Sequence, residues 1–563
     1  MAQRLDGDCA QRLRTATTDG DYGRRRVRLQ ARHAEWFPAG RPGPDDRRHS
    51  FIALGNTDSC ASASTSPSCC DQVSTSPSCC DQISTSPSCC DQISSLRQAA
   101  LQYCSELAGY KMEWVETTPG HWTRPMDAVE AWFDSASSVE TPCGIAHAMV
   151  SAGARLPAER FASVERFRRA WTSLRYDHPR IACYASSGVL HYTVPDSGGV
   201  QQWLSQTLIV DESGASGLEL LATLKSRRLG VLVLLPQSRE VFVQVGHNQI
   251  DGVGAMLFLN CLLDALRHPV DVCFGDEHRN LSRSLTHTLQ LPPSSRAEVQ
   301  TAQAMVAQFA SSLPGLRLAP RARPPLRHAV RMERLEFTAS QTEQIRLRAR
   351  LHDITVTHAC HAAMIQTLSS LDGGKGNAYA SLFYFSLRGA TEQAASGTAS
   401  PVSVHLTALP AVVSASSGAG FLPLARRVKD VYTQRCRDAG LHGPLYNALA
   451  PVLNASSDGQ ARLSSLGVVD ERVPHALEDF WIGAGSATAD MTTYVWTFRG
   501  RLCVATWFNE AFYERGAVKH FLSGLRSALL LGLQIGDSGD SGGAKQGLPT
   551  DGAMLGRTTT AET

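Results

Sequence analysis

One of the chain's 18 histidines sits in a setting suited to proton transfer: His247-Asn248-Gln249-Ile250-Asp251-Gly252. Upstream, Val241, Val243 and Val245 alternate with Phe242 and Gln244, the period of two that marks a strand. Downstream, Met256, Leu257, Leu259, Leu263 and Leu266 fit a helix over Gly252–Leu266. His247 therefore stands where a strand ends and a helix begins, so the backbone can fix its ring. An imidazole with an ordinary pKa near ~6.5 can take a proton from an alcohol and return it to a thiolate. Asp251 follows four residues on, and Gly252 is read as giving conformational freedom at the helix entrance. The competing reading is a satisfied histidine at a strand end, because a short string of this kind also arises by chance.

Other chemistry-bearing residues argue less. Gly539-Asp540-Ser541-Gly542-Gly543 spells a serine-protease nucleophile motif, but it lies in a polar tail with no strands after it. His352, His358, Cys360 and His361 lack the paired spacing of a metal site, since Cys360 and His361 point to different helix faces. Gly373-Gly374-Lys375-Gly376 lacks the Ser or Thr of a phosphate loop and reads as a turn. No metal is expected.

The elements that must position His247 alternate between strand and helix. Helical spacing runs over Arg160–Leu174, with Phe161, Val164, Phe167, Ala170, Trp171 and Leu174 on one face. Strands are expected at Val189–Val194, Thr207–Val210, Gly230–Leu235 and Glu240–Val245. Residues 291–327, rich in Pro and Arg, read as a crossover linker. Beyond it, Ser340-Gln341-Thr342-Glu343 has the form of a capping box, and a second helix is expected from Thr357. Strands follow at Tyr379–Leu387, Val404–Leu409, Thr493–Phe498 and Leu502–Asn509, then a helix over Val518–Leu531. The expected organisation is a disordered leader over 1–95, lobes over 96–290 and 328–535, and a disordered tail over 536–563. The leader holds STSPSCCDQ three times between Ser64 and Gln92. Its adjacent cysteines chelate one ion poorly, so a flexible low-complexity insert is favoured over metal capture.

Composition narrows the partners. A formal net charge of +2 over 563 residues leaves no basic field for nucleic acid. No apolar run is long enough to span a membrane, and the polar Met1–Asp21 lacks the apolar core of a secretory signal. Sixteen cysteines, six of them in the repeat, are too sparse for a disulfide scaffold, so a reduced, cytoplasmic protein is expected.

The motif and its setting resemble the chloramphenicol-acetyltransferase-like superfamily, including fungal O-acetyltransferases acting on trichothecenes, plant BAHD enzymes and condensation domains. The resemblance covers about Trp114–Leu533. It is carried by Trp114–Glu130, Arg166–Ile181, Ile354–Ala363, Ser464–Gly467 and Trp507–Phe512, in that order. It implies an α/β fold of two similar lobes with the active site in a channel between them. It further implies an acyl group, acetyl in that family's usage, moved from CoA to a hydroxyl of a secondary metabolite such as a terpenoid or trichothecene. Acyl-CoA would be a co-substrate, with no bound cofactor and a monomeric enzyme. By resemblance His247 is the general base, and Asp251 points away from substrate to pair with an arginine, matched here by Arg388. Asn509 and Ser386 are candidates to stabilise an oxyanion. Gly246 stands where condensation domains carry a second histidine, which argues against peptide formation. Asp479-Phe480-Trp481-Ile482-Gly483 loosely echoes a structural segment of the plant enzymes. Condensation with a carrier-bound acyl group, and a non-catalytic binding protein of the same fold, are the alternatives.

Overall fold

The computed structural model describes residues 113–325, 327–372, 377–395, 400–415, 420–438, 443, 445–449, 459–473 and 477–536. All of these fall in one compact unit, 91–563. The leader, its cysteine repeat, the glycine turn at 373–376 and the Gly539–Gly543 string lie outside the described residues.

Leaving aside helices of five residues or fewer, the first half runs β1 (Val115–Thr118), β2 (His121–Pro125), α1 (Ala128–Ser137), β3 (Met149–Arg155) and α2 (Val164–Asp177). It continues with β4 (Tyr184–Ser186), β5 (Val189–Thr193), α3 (Ser197–Thr207), β6 (Leu208–Val210), β7 (Val231–Leu235), β8 (Glu240–Gly246) and α4 (Gly252–Arg267). The second half runs α5 (Arg296–Ser311), β9 (Val330–Glu336), α6 (Ala339–Leu351), α7 (Val356–Leu371), β10 (Ala378–Ser386) and α8 (Arg388–Ala395). Then come β11 (Leu406–Ser414), α9 (Phe421–Arg437), β12 (Ala461–Val468), β13 (Asp479–Gly485), β14 (Met491–Phe498), β15 (Arg501–Asn509) and α10 (Arg515–Gly532).

Two large sheets define the lobes. The first has the order β13-β3-β8-β7-β6, and the second β11-β10-β12-β14-β15-β9. A smaller sheet, β1-β2-β5-β4, lies in the first half of the chain. Strand β7 is buried along both faces, which explains its unbroken aliphatic sequence, and β8 beside it is buried along both faces except at Gly246. Helix α4 buries Met256, Leu259, Leu262 and Leu263 in the core that also holds β3, β7 and β8.

The structure departs from the sequence expectations in several places. Residues 291–327 are not simply a linker, because 296–311 form α5, opened by a capping box between Ser295 and Glu298. Its Ala302, Met305, Val306 and Phe309 join α1 residues and β10–β11 residues in one apolar cluster. The capping box of α6 is Thr338 with Gln341, two residues before the expected one. Strand β13 lies within 328–535 but pairs with β3 in the first sheet, from Asp479↔Arg155 to Gly485↔Met149. Finally, Cys273 is disulfide-bonded while Cys143, Cys183, Cys261, Cys360, Cys436 and Cys503 are free, so the wholly reduced chain expected from cysteine spacing does not hold at that position.

Strand β13 is locked by two tryptophans over two glycines. Trp481 lies opposite Gly153, where a Cβ would come within 2.3 Å of its ring. Trp507 of β15 covers Gly483, where a Cβ would meet the indole nitrogen at 2.1 Å, and that nitrogen donates to the Ile482 carbonyl at 3.0 Å. The first sheet is thereby joined to the second through side-chain packing as well as chain connectivity. Gly153→Ala is expected to lower stability by at least about 1–3 kcal/mol, because the indole cannot move without displacing its neighbours. A chemical-denaturation midpoint equal to that of the parent protein would contradict this packing.

Candidate active site

Gly246 closes β8, and the next five residues, His247 to Asp251, turn into α4. The His247 N–H donates to the Ala148 carbonyl (3.1 Å), Gln249 N–H to Gly246 (2.9 Å) and Asp251 N–H to Ser403 (3.3 Å). A Cβ on Gly246 would come within 2.6 Å of the Asn248 side-chain oxygen, so a histidine there would disturb this turn.

Asp251 is the N-cap of α4, its Oδ1 accepting from the Gly254 N–H at 2.7 Å. Arg388, the first residue of α8, donates from Nε to Oδ1 (3.1 Å) and from its terminal nitrogen to Oδ2 (3.0 Å). The His405 N–H adds a bond to Oδ2 at 2.8 Å. The guanidinium also reaches the carbonyls of Ser400 (3.1 Å), Pro401 (3.3 Å) and Ser403 (3.0 Å). Burial pushes the Asp251 carboxyl up, but Arg388 and the two backbone N–H groups outweigh it and hold it below the usual carboxylate range. Asp251 and Arg388 thus meet across the two halves of the chain, both nearly inaccessible.

Gly252 has a different part from the one expected. It is not among the residues with positive φ, and an added Cβ would meet only Leu466, at 3.4 Å. Gly254 is the constrained position: its Cβ would fall 2.3 Å from the Pro401 carbonyl and 2.5 Å from the Arg388 guanidinium. Sequence reading missed it, because a second glycine in the first helical turn carries no signal of what approaches it.

The loop is also held from α1. Phe133 stacks on the His247 ring, with centroids 3.7 Å apart and planes 7° from parallel. Asp134 accepts from the Asn248 side chain at 2.8 Å. Arg180 donates to the Asn248 carbonyl (2.8 Å) and to Glu130 (2.6 Å), which also binds Arg124 (2.8 Å). Burial raises the Glu130 carboxyl, but the two guanidiniums bring it down to about 2, so it stays charged. These side chains lie well apart in sequence, and only the capping-box spacing of Asp127 and Glu130 is visible there.

Burial lowers the His247 imidazole to about 4, partly offset by nearby backbone and the Asp251 carboxylate. The ring is therefore neutral at physiological pH and able to accept a proton. The two oxyanion candidates fare differently. The Asn509 amide is buried and spent on the Ser486 carbonyl (3.1 Å) and His328 (3.1 Å), while its oxygen accepts from Ala511 (3.0 Å), so it has no N–H to offer a substrate. Ser386 is exposed at the end of β10. His358 caps α7 and His361 packs against Phe383, Tyr379 and Tyr432 in the second core, which accounts for both. Among the described residues, no helix is long and apolar enough to cross a membrane.

No family model matches the chain. The chain is 27% identical over 463 residues to acetyltransferase pigO of Monascus ruber, covering 76% of this chain and 99% of that protein. It is 25% identical over 457 residues to O-acetyltransferase pigM of the same organism, covering 74% and 87%. Among solved structures, the TRI3 trichothecene 15-O-acetyltransferase of Fusarium sporotrichioides superposes with a TM-score of 0.62 at 17% identity, covering 75% of this chain and 98% of that one. The cyclization-docking bidomain of EpoB from Sorangium cellulosum gives 0.54 at 12% identity, covering 81% and 94%. The fold is the two-lobed, chloramphenicol-acetyltransferase-like one. Within it, the chain is an acyltransferase, distantly homologous to the Monascus acetyltransferases.

Removing one member of a buried ion pair strands the other, so Asp251→Ala is expected to cost about 3–5 kcal/mol of stability. Gly254→Ala should unfold at a clearly lower temperature than Gly252→Ala; equal midpoints would contradict the close approach of Arg388. His247 stays neutral in the fold down to about 4, whereas an unfolded histidine protonates near ~6.5. The unfolded chain then binds more protons below that pH, so this group's contribution is lost as pH falls from ~6.5 toward 4. A thermal-unfolding midpoint that drops over that interval, less steeply in His247→Phe, is the expected result.

Proposed function

We propose that the chain is an O-acetyltransferase of fungal-type secondary metabolism, moving the acetyl group of acetyl-CoA to an alcohol, with His247 as general base. The observation that carries this reading is a neutral imidazole stacked on the Phe133 ring, its backbone N–H held by the Ala148 carbonyl, where the Asp251–Arg388 pair joins the two sheets. His247 accepts the hydroxyl proton as the alcohol oxygen attacks the thioester carbonyl. The tetrahedral intermediate then collapses, the carbon–sulfur bond breaks, and the departing thiolate takes the proton back from the imidazolium. Asp251 and Arg388 take no proton in this scheme. They hold the loop, and a misplacement of about 1 Å at the base can cost about a hundredfold in rate.

For the acceptor, a relative 23% identical over 416 residues is an azaphilone biosynthesis cluster protein of Aspergillus terreus. That name supports an azaphilone-type alcohol ahead of the terpenoid alcohol suggested by motif resemblance. Acetyl-CoA and a hydroxylated small molecule are the partners in this reading, and the monomer of sequence expectation is retained as part of it.

The test is thiol release from acetyl-CoA in the presence of azaphilone and trichothecene alcohols. His247→Ala is expected to lower the rate by about 10²–10⁴-fold. Unchanged thiol release in that variant would sink the mechanism. Because burial holds His247 at about 4, kcat/KM should be level from pH 6 to 8 and fall only as pH approaches that value. A fall centred near ~6.5 would mean that the base is an ordinary, solvated histidine.

A further inference from the structure

A second histidine, outside the motif, stands at the next strand end. His147 lies two residues before β3, and β3 pairs with β8 so that Met149 is opposite Gly246. The backbones are tied there in a row: the His247 N–H donates to Ala148, and the Ala148 N–H to Gly485 at the end of β13 (3.0 Å). Ala148 has φ of +57°, which breaks the strand alternation between Met149 and His147.

The seat of His147 determines its tautomer. Its Nδ1 accepts from the Ala487 N–H at 3.3 Å, with the Ser486 hydroxyl at 3.4 Å. A backbone N–H can only donate, so the ring proton is on Nε2. Nε2 lies 3.8 Å from Asp490, beyond hydrogen-bond distance, and the side chain keeps 14% of its surface open. Asp490 is already engaged by Arg462 (2.7 Å) and by the Gln460 N–H (2.9 Å). Burial lowers His147 to about 4, and Arg462 adds to this against the opposing pull of Asp490, so the ring is neutral. Asn509 holds the Ser486 carbonyl and so builds this seat from β15.

We propose that the Nε2–H of His147 donates a hydrogen bond to a substrate oxygen beside His247. This rests on the acyl-transfer reading and supplies the donor that Asn509 does not. A neutral, oriented imidazole polarises a carbonyl without the desolvation cost of a buried cation. Two oxygens share this chemistry: the thioester carbonyl, which becomes the oxyanion, and an oxygen of the acceptor.

The test compares His147→Leu, which removes the donor, with His147→Gln, whose side-chain amide keeps an N–H. Both are first checked for a parental unfolding profile. If the partner is the thioester carbonyl, kcat in His147→Leu should fall by about 10²–10³-fold, in line with loss of one oxyanion donor. The carbonyl stretch of isotope-labelled acetyl-CoA bound to the parent should then lie at lower frequency than in His147→Leu. If the partner is an acceptor oxygen, the acceptor KM rises instead and the carbonyl frequency is unchanged. In either case His147→Gln should recover part of the loss. The proposal is overturned if His147→Leu keeps kcat and both KM values within twofold while His247→Ala is inactive. It is equally overturned if folded Leu and Gln variants lose activity alike, since a donor role would separate them. If the parent neither binds nor consumes any acyl-CoA, the acyl-transfer reading falls and takes this assignment with it.

Discussion

One carboxylate holds the molecule's two halves in register. Asp251 caps α4, accepts the backbone of His405 ahead of β11, and binds Arg388 at the start of α8, so a single buried group fixes a loop of one sheet to the strand ends of the other. In energy terms such a pair is no bargain, since desolvating two charges offsets most of their attraction. What it supplies is direction: the carboxylate's hydrogen-bond partners come from the helix, the preceding segment of β11 and the guanidinium, and each constrains where the loop can lie. The orientation of His247, the tight fit at Gly254 and the approach of Pro401 all follow from that fixed point.

The opposite side of the loop is held by a different kind of contact. Phe133 covers one face of the imidazole, while Arg180, braced by Glu130, holds the carbonyl of Asn248. Stacking removes water from the ring and lowers its basicity, and the hydrogen bonds set the backbone from which the ring projects. The His247 loop is thus clamped from both halves of the chain, and the imidazole is kept uncharged by its surroundings. Its protonation state is a consequence of packing.

Much of this was legible in the sequence, and what was not has physical causes. β7, β8 and α4 could be read because each buries its own aliphatic pattern locally. The motif placed His247 at the junction, and resemblance supplied Arg388 as the partner whose contact with Asp251 the geometry displays. Helix α5 was hidden by the prolines around it, although Ala302, Met305, Val306 and Phe309 have helical spacing. The membership of β13 in the first sheet could not be read from β13 itself, because strand pairing is decided by what Trp481 and Gly153 do together across the fold. The same holds for His147 and for the Glu130–Arg180 pair, whose partners lie far away in the chain and follow no period.

The path of β13 has a mechanical consequence. The chain leaves the second sheet after β12, zips seven residues along β3, and returns to the second sheet as β14. A clamshell opening would have to strip that ladder from β3 or tear it away from Trp507, and either move exposes buried apolar surface together with unpaired amides. The two sheets therefore stay joined, and any movement at the His247 loop has to come from side chains and loops, with no separation of one sheet from the other.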